Sequence, residues 1–260
     1  MADLRMNGVW NRRGLFIAGG RIVAGASLGL ALDRYAVAQP DEGRAWRHLF
    51  YSMPKGGTGK VKQVTGMAFA NKRRLVVGAT IHAGEQLRVA KGGSLVVSIQ
   101  DRTLLWIKEE TVLDFSPSPR KTGVLNLVSG ALLAVVPVGN RYLVGGPYAT
   151  VGIKGTVFYR QVFSRNEHTG LAMENRIVTL PGEGLRDYFC TCNGSVDYLR
   201  KSDQSLIASD TARHHNAFFL NPQNPKLLEK SEMLNHFDRD IRAAIDLQEP
   251  PKHDSSWLQL

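Results

Sequence analysis

The stretch from Tyr148 to Val162, YATVGIKGTVFYRQV, constrains the fold of this chain most strongly. It contains two runs of strand-forming residues, Tyr148–Ile153 and Thr156–Val162, on either side of Lys154-Gly155. β-Branched and aromatic side chains favour strands, and a glycine inside such a pattern indicates a bend or a close backbone approach. We therefore predict strands here, with Gly155 at positive φ or packed too closely for a Cβ atom.

Short apolar runs broken by Gly, Pro, Asn and Lys-Arg turns continue through most of the preceding hundred residues. Such regular spacing is typical of an all-β domain, and the absence of a βαβ rhythm argues against a Rossmann or TIM-type enzyme. The runs are Val61–Phe69, Leu75–Ile81, Gln86–Val89, Leu95–Ile99, Thr103–Ile107, Val112–Phe115 and Leu125–Pro137.

Two features stand out towards the C-terminus. Tyr188–Leu199 is interrupted by Asn193-Gly194, and since Asn-Gly is the strongest short hairpin signal, we predict a β-hairpin there. Leu234, Phe237, Ile241 and Ile245 recur at helical spacing, which predicts an amphipathic helix over about 236–247. Asn235 followed by Asp238 resembles a capping box at the start of this helix.

These patterns resemble the FecR-type domain, a family named for a regulator of iron dicitrate transport. Its core pattern, V-x-T-P-x-A-x-x-G-x-x-G-T-x-F, is matched at Pro147, Ala149, Gly152, Gly155, Thr156 and Phe158. Gly146 departs from the pattern, because the family usually has Thr there. Val128–Leu133 resembles the family's L-x-x-G-x-L step, and the Cys-x-Cys and His-His segments further on resemble a bacterial branch of the family.

The resemblance covers about residues 60–246 and implies a mainly β fold, a FecR-like β-sandwich or β-solenoid of short strands with a C-terminal α-helix. We divide the chain into a signal segment (1–38), a linker (39–60), a FecR-like β domain (61–162), a β extension with a Cys-x-Cys hairpin (163–225), and a C-terminal helix and tail (226–260).

The N-terminal segment has the features of an export signal. Asn11–Phe16, with Arg12 and Arg13, matches the twin-arginine pattern, and Ala36-Val-Ala38 supplies small residues for a signal peptidase. A retained membrane anchor is the alternative, although Arg21 inside the apolar run would cost about 2.5–3.5 kcal/mol at the centre of a spanning helix. A cytosolic chain is the third alternative. We predict a periplasmic protein, whose membrane contact is through this segment alone if it is uncleaved.

The formal net charge of +10 favours contact with anionic surfaces. No helix-turn-helix and no interleaving of aromatic and basic residues is present, so no nucleic-acid partner is predicted. The sequence also contains no His-Glu-x-x-His motif and no Ser/His/Asp order in a recognisable context, so we predict that the chain is not an enzyme.

Cysteine and histidine residues form the strongest candidate site. Cys190 and Cys192 are two residues apart, and side chains at that spacing on a strand share a face. They could ligate Zn or another transition metal together with His214 or His215 and with His236, a Cys2His2 set of the kind that binds zinc. A redox pair and a purely structural role are the alternatives.

Two functional hypotheses follow. FecR-type regulators combine a cytoplasmic anti-sigma segment, one transmembrane helix and a periplasmic β-rich domain that meets an outer-membrane transporter. Only thirteen residues precede the apolar run of this chain, so we expect it to lack the anti-sigma segment. The resemblance then implies a periplasmic protein that binds an envelope protein in signalling linked to metal uptake. The alternative is a periplasmic metal- or redox-binding protein that uses Cys190 and Cys192 with histidines.

Overall fold

The computed structural model describes residues 58–99, 102–115, 125–164, 171–173, 176–180, 184–221, 223, 228–250 and 252–258, all within one compact unit. The predicted signal segment, most of the linker and the Arg12-Arg13 pair lie outside the described residues. The described part is mainly β, as the sequence predicts, and contains one α-helix near the C-terminus.

Seventeen strands are present in the described part of the chain. They are β1 (Thr58–Thr65), β2 (Ala68–Ala70), β3 (Arg73–Arg74), β4 (Thr80–His82), β5 (Glu85–Val89), β6 (Ser94–Ile99), β7 (Leu104–Ile107), β8 (Thr111–Phe115), β9 (Leu125–Val135), β10 (Arg141–Gly145), β11 (Ala149–Phe163), β12 (Leu171–Met173), β13 (Arg176–Val178), β14 (Arg186–Arg200), β15 (Leu206–Ala212), β16 (Asn216–Leu220) and β17 (Leu228–Ser231). The helix α1 covers Asp238–Leu247.

Fifteen of these strands form one continuous hydrogen-bonded sheet. Its longest path runs β17-β16-β14-β11-β10-β9-β7-β6-β1-β4, with β15 paired to β14, and with β8, β5, β2 and β3 branching successively from β9. Strands β12 and β13 form a separate pair. The most extensive pairing joins β11 to β14 along nearly their whole length, so the stretch that organises the sequence is also central in the fold.

Two apolar clusters lie on opposite faces of the long strands. Before Gly155, odd-numbered residues of β11 such as Val151 and Ile153 belong to the first cluster, whereas after it even-numbered residues such as Phe158 do. Tyr159 then belongs to the second cluster. A one-residue bulge exchanges the two faces of a strand in this way, and the β11–β14 register shifts at this point.

Glycines at positive φ make this exchange sterically feasible. Gly155 has φ +59°, as predicted, and Gly194 on β14 has φ +115°. A Cβ atom on Gly194 would lie 2.8 Å from the backbone oxygen of Gly155. The two bulges therefore face each other across paired strands.

The predicted hairpin at Asn193-Gly194 is wrong, because residues 186–200 form one unbroken strand. The glycine lies at a bulge. Before the bulge β14 pairs with β16, and after it β14 pairs with β15. A second correction concerns Leu75–Ile81, where only Thr80–His82 is a strand and Gly78 turns the chain at φ +85°.

Helix α1 begins two residues after its predicted start, and its capping differs from the prediction. The backbone N–H of Phe237 donates to the Asp240 carboxylate at 3.0 Å, which satisfies one group at the helix start. Asn235 instead has φ +57°, and its side chain bonds to the Ala172 backbone and to Gln161. Asn235 therefore positions the segment before the helix, and Asp240 supplies the capping contact.

Candidate metal centre

The two cysteines are positioned by β14, which lies between β11 and β16 in the sheet. Cys190 and Cys192 alternate with Thr191 along the strand, so both thiols project from one face into the second apolar cluster. Both residues are fully buried, and the sulfur atoms lie 3.9 Å apart without a covalent bond. The shared face predicted from the sequence is therefore present.

His215 reaches this site from the turn between β15 and β16. Its backbone N–H donates to the Cys192 carbonyl at 3.0 Å, and its φ of +35° directs the side chain towards β14. Nδ1 of the ring lies 3.5 Å from the Cys190 sulfur, whereas Nε2 lies 2.7 Å from a carboxylate oxygen of Asp238. The ring thus connects a thiol to a carboxylate.

His236 reaches the site from the segment just before α1. Nε2 of its ring lies 3.5 Å from the Cys192 sulfur, and Nδ1 lies 2.7 Å from the Leu234 carbonyl oxygen. The ring stacks on Tyr159 with centroids 4.3 Å apart. Tyr188 fixes the same segment, because its hydroxyl accepts from the Leu234 N–H and donates to the Glu232 carbonyl.

Four potential ligand atoms converge at this point. The sulfur atoms of Cys190 and Cys192, and one ring nitrogen each from His215 and His236, all lie within 4.8 Å of one another. His214, also a candidate, instead bonds to Asp238 at 3.1 Å and is one-third exposed. The turn places only one member of the His-His pair at the sulfurs.

The electrostatics of the site separate the two thiols. Burial opposes ionisation of Cys190, but its hydrogen bond from Cys192 and the adjacent His236 and His215 rings hold the pKa of Cys190 well below its usual range. Burial and the neighbouring Cys190 sulfur raise the pKa of Cys192 well above its usual range. The pKa of His215 is raised: burial opposes its charge, and the contacts with Cys190 and Asp238 outweigh burial.

Asp238 is the member of this site that sequence reasoning missed. Acidic residues on a terminal helix are usually solvent-exposed, and the sequence pattern indicated only a capping role for Asp238. Its two oxygens bond to His214 and His215, and only 12% of its side chain is exposed. The sequence indicates only that Asp238 lies in the first turn of α1, because its contacts with the histidines form when the helix docks.

A buried ion pair lies in the first cluster, beyond the cysteine site. The Arg160 guanidinium forms two hydrogen bonds with Asp187, at 3.0 and 2.6 Å, and also donates to the carbonyls of Val144 and Ala149. Gly146 lies against this guanidinium, and a Cβ atom there would be 2.0 Å from Nη2. A side chain at residue 146 would therefore have to displace the Arg160 guanidinium.

Comparison with known proteins finds one matching family model. Residues 85–175 match the family model described as FecR protein, which confirms the predicted resemblance over β5 to β12. None of the curated proteins matches the sequence. Among the described residues, no helix combines the length and hydropathy needed to cross a bilayer.

Two crystal structures of a candidate anti-sigma factor from Parabacteroides distasonis ATCC 8503 are similar to this chain. The identities are 14% and 13% and the TM-scores 0.36 and 0.35. In each case the match covers 58% of this chain and 59% of the other.

Proposed function

We propose that this protein acts as a non-enzymatic binding or sensing component of envelope signalling, because residues 85–175 match the FecR family model. The family match is the observation that carries the proposal. We also propose that the protein is periplasmic and that the process it regulates is linked to metal uptake, as the resemblance to iron transport regulators implies.

The site geometry supports a binding role over a catalytic one. Cys190, His215 and Asp238 lie in a line of contacts at 3.5 and 2.7 Å, an order that would activate a thiol nucleophile. A nucleophile must reach its substrate, however, and Cys190 is fully buried in the second apolar cluster. The Cys190 sulfur is therefore buried where a catalytic nucleophile would have to be accessible to a substrate.

Crosslinking in intact cells tests the signalling proposal. The full chain is expressed with a C-terminal tag and treated with a membrane-impermeant, amine-reactive crosslinker. We expect a defined product with an envelope signalling or transport protein. A chain inaccessible to the reagent in intact cells but reactive after lysis would contradict the periplasmic proposal. A chain that reacts yet is crosslinked to no envelope protein would contradict the binding role.

Export is tested separately by replacing Arg12 and Arg13 together with Lys. Since the twin-arginine pathway reads the arginine pair itself, precursor should accumulate inside the cytoplasm. The matched control is Arg5→Lys, which lies outside the pair and should leave export unchanged. An unaltered periplasmic yield of the double variant would exclude the twin-arginine route.

A further inference from the structure

We propose that Cys190, Cys192, His215 and His236 bind one zinc-class divalent ion. The ligand atoms come from three separate parts of the chain: strand β14, the turn between β15 and β16, and the segment before α1. The proposal does not depend on a signalling role, because it rests on the geometry of these four side chains.

Three of the six separations between ligand atoms fit a tetrahedral ion, and all six are within 4.8 Å. Bonds of about 2.3 Å to sulfur and about 2.0 Å to nitrogen place tetrahedral ligand atoms about 3.8 Å apart for S···S and about 3.5 Å apart for S···N. The two sulfurs lie 3.9 Å apart, and each forms a 3.5 Å contact with one imidazole nitrogen. Both kinds of separation agree to within about 0.2 Å of this tetrahedral spacing.

Both imidazoles are held by partners outside the ligand set. The Leu234 carbonyl can only accept, so in the neutral ring that a metal requires Nδ1 of His236 carries the hydrogen and Nε2 offers its lone pair to the ion. Asp238 occupies Nε2 of His215, which leaves Nδ1 for the ion. Histidine ligands of zinc commonly donate their second N–H to a carboxylate or a backbone carbonyl, and here one does each.

The chemistry of the donor set selects the ion. Two thiolates and two imidazoles suit Zn²⁺, whereas Mg²⁺ and Ca²⁺ require oxygen ligands. Two thiolates neutralise the charge of the ion, and binding releases two protons overall because the bound set contains two thiolates and two neutral rings. With four protein ligands and buried sulfurs, the site is closed, which is typical of structural zinc rather than catalytic zinc.

Such an ion would connect the sheet to the C-terminal helix. His236 lies two residues before α1, whose residues Ile241, Ala244 and Ile245 pack into the second apolar cluster with the cysteines. Removing the ion should therefore loosen the attachment of α1 to β14 while leaving the first cluster intact.

Metal analysis of the full chain, purified under reducing conditions without chelator, tests the proposal. We expect about one zinc per chain, and cobalt(II) substitution should give thiolate charge-transfer and tetrahedral ligand-field bands. The variant His215→Gln should lose the metal, and the matched control is His214→Gln, which removes the adjacent ring that bonds to Asp238 and is not among the four ligands. Equal metal content in these two variants would overturn the ligand assignment.

A second variant keeps the test valid if His215→Gln fails to fold. His236→Cys replaces the nitrogen ligand by a third sulfur, so it should still bind cobalt, with a stronger charge-transfer band. For the unmodified chain, the melting temperature in chelator should be about 5–10 °C below the value measured with free zinc at about a hundred times Kd. Chelation should also increase hydrogen exchange in α1. No zinc, no cobalt thiolate band and no effect of chelator would overturn the proposal, as would a Cys190–Cys192 disulfide that persists under reducing conditions.

Discussion

Gly155→Ala tests whether the paired bulges of β11 and β14 require glycine. At φ +59° a residue with a Cβ atom costs about 1–2 kcal/mol. The added Cβ atom would also lie 2.7 Å from Cα of Val138 and 3.2 Å from the Pro137 carbonyl oxygen. Both are backbone atoms that cannot rotate away, so overpacking should add about 1–3 kcal/mol.

The expected loss in free energy of unfolding is therefore about 2–5 kcal/mol. For a chain of this size one kcal/mol corresponds to about 2–4 °C, so the melting temperature should fall by about 4–20 °C. Thermal unfolding of the full chain followed by far-UV circular dichroism measures this shift.

Gly92→Ala is the matched control. Gly92 has φ +72°, close to that of Gly155, but no atom lies within 4 Å of its Cβ position. This variant should lose only the backbone contribution, about 1–2 kcal/mol. Equal losses in the two variants would refute the close approach to Val138, and unchanged melting temperatures in both would refute the argument from φ as well.

Three further predictions concern buried contacts. Asp187→Asn leaves the buried Arg160 charge unbalanced and should cost about 3–5 kcal/mol in urea unfolding; a loss below about 1 kcal/mol would contradict this role. Gly146→Thr inserts a side chain against the same guanidinium and should lower the free energy of unfolding by about 1–3 kcal/mol. The same substitution should cost clearly less when Arg160 is replaced by Met, and equal costs in the two backgrounds would exclude this contact. Asp238→Asn weakens the partner that orients His215 and should lower cobalt affinity about 10–100-fold, whereas Asp246→Asn, an exposed change on the same helix, should not; equal affinities of the two variants would argue against an orienting role.

Local patterns determined the classes of secondary structure. Strand-forming runs between glycine and proline breaks predicted the β architecture, and apolar spacing predicted α1 within two residues of its observed start. The positive φ of Gly155 also followed from one glycine between two strand-like runs. These features depend on side-chain periodicity and backbone sterics, which act over a few residues.

At Asn193-Gly194 the local sequence preference for a hairpin does not decide the structure. In isolation the dipeptide favours a tight turn, but in the fold its glycine opposes Gly155 across two long paired strands. The bulge exchanges the faces of β14, and the two glycines are 39 positions apart, so no short window of the sequence contains both. Long-range pairing therefore overrides the hairpin preference.

The sequence determined one part of the Cys–His site, and the tertiary structure determined the rest. The sequence alone determined that Cys190 and Cys192 would share a face of a strand, since alternate side chains of a strand point the same way. Only the tertiary structure decided that His215 rather than His214 meets them, that His236 supplies the second nitrogen, and that Asp238 bonds to the ring of His215. Those choices depend on the turn after β15 and on the docking of α1, because both bring together residues that are 20 or more positions apart in the chain.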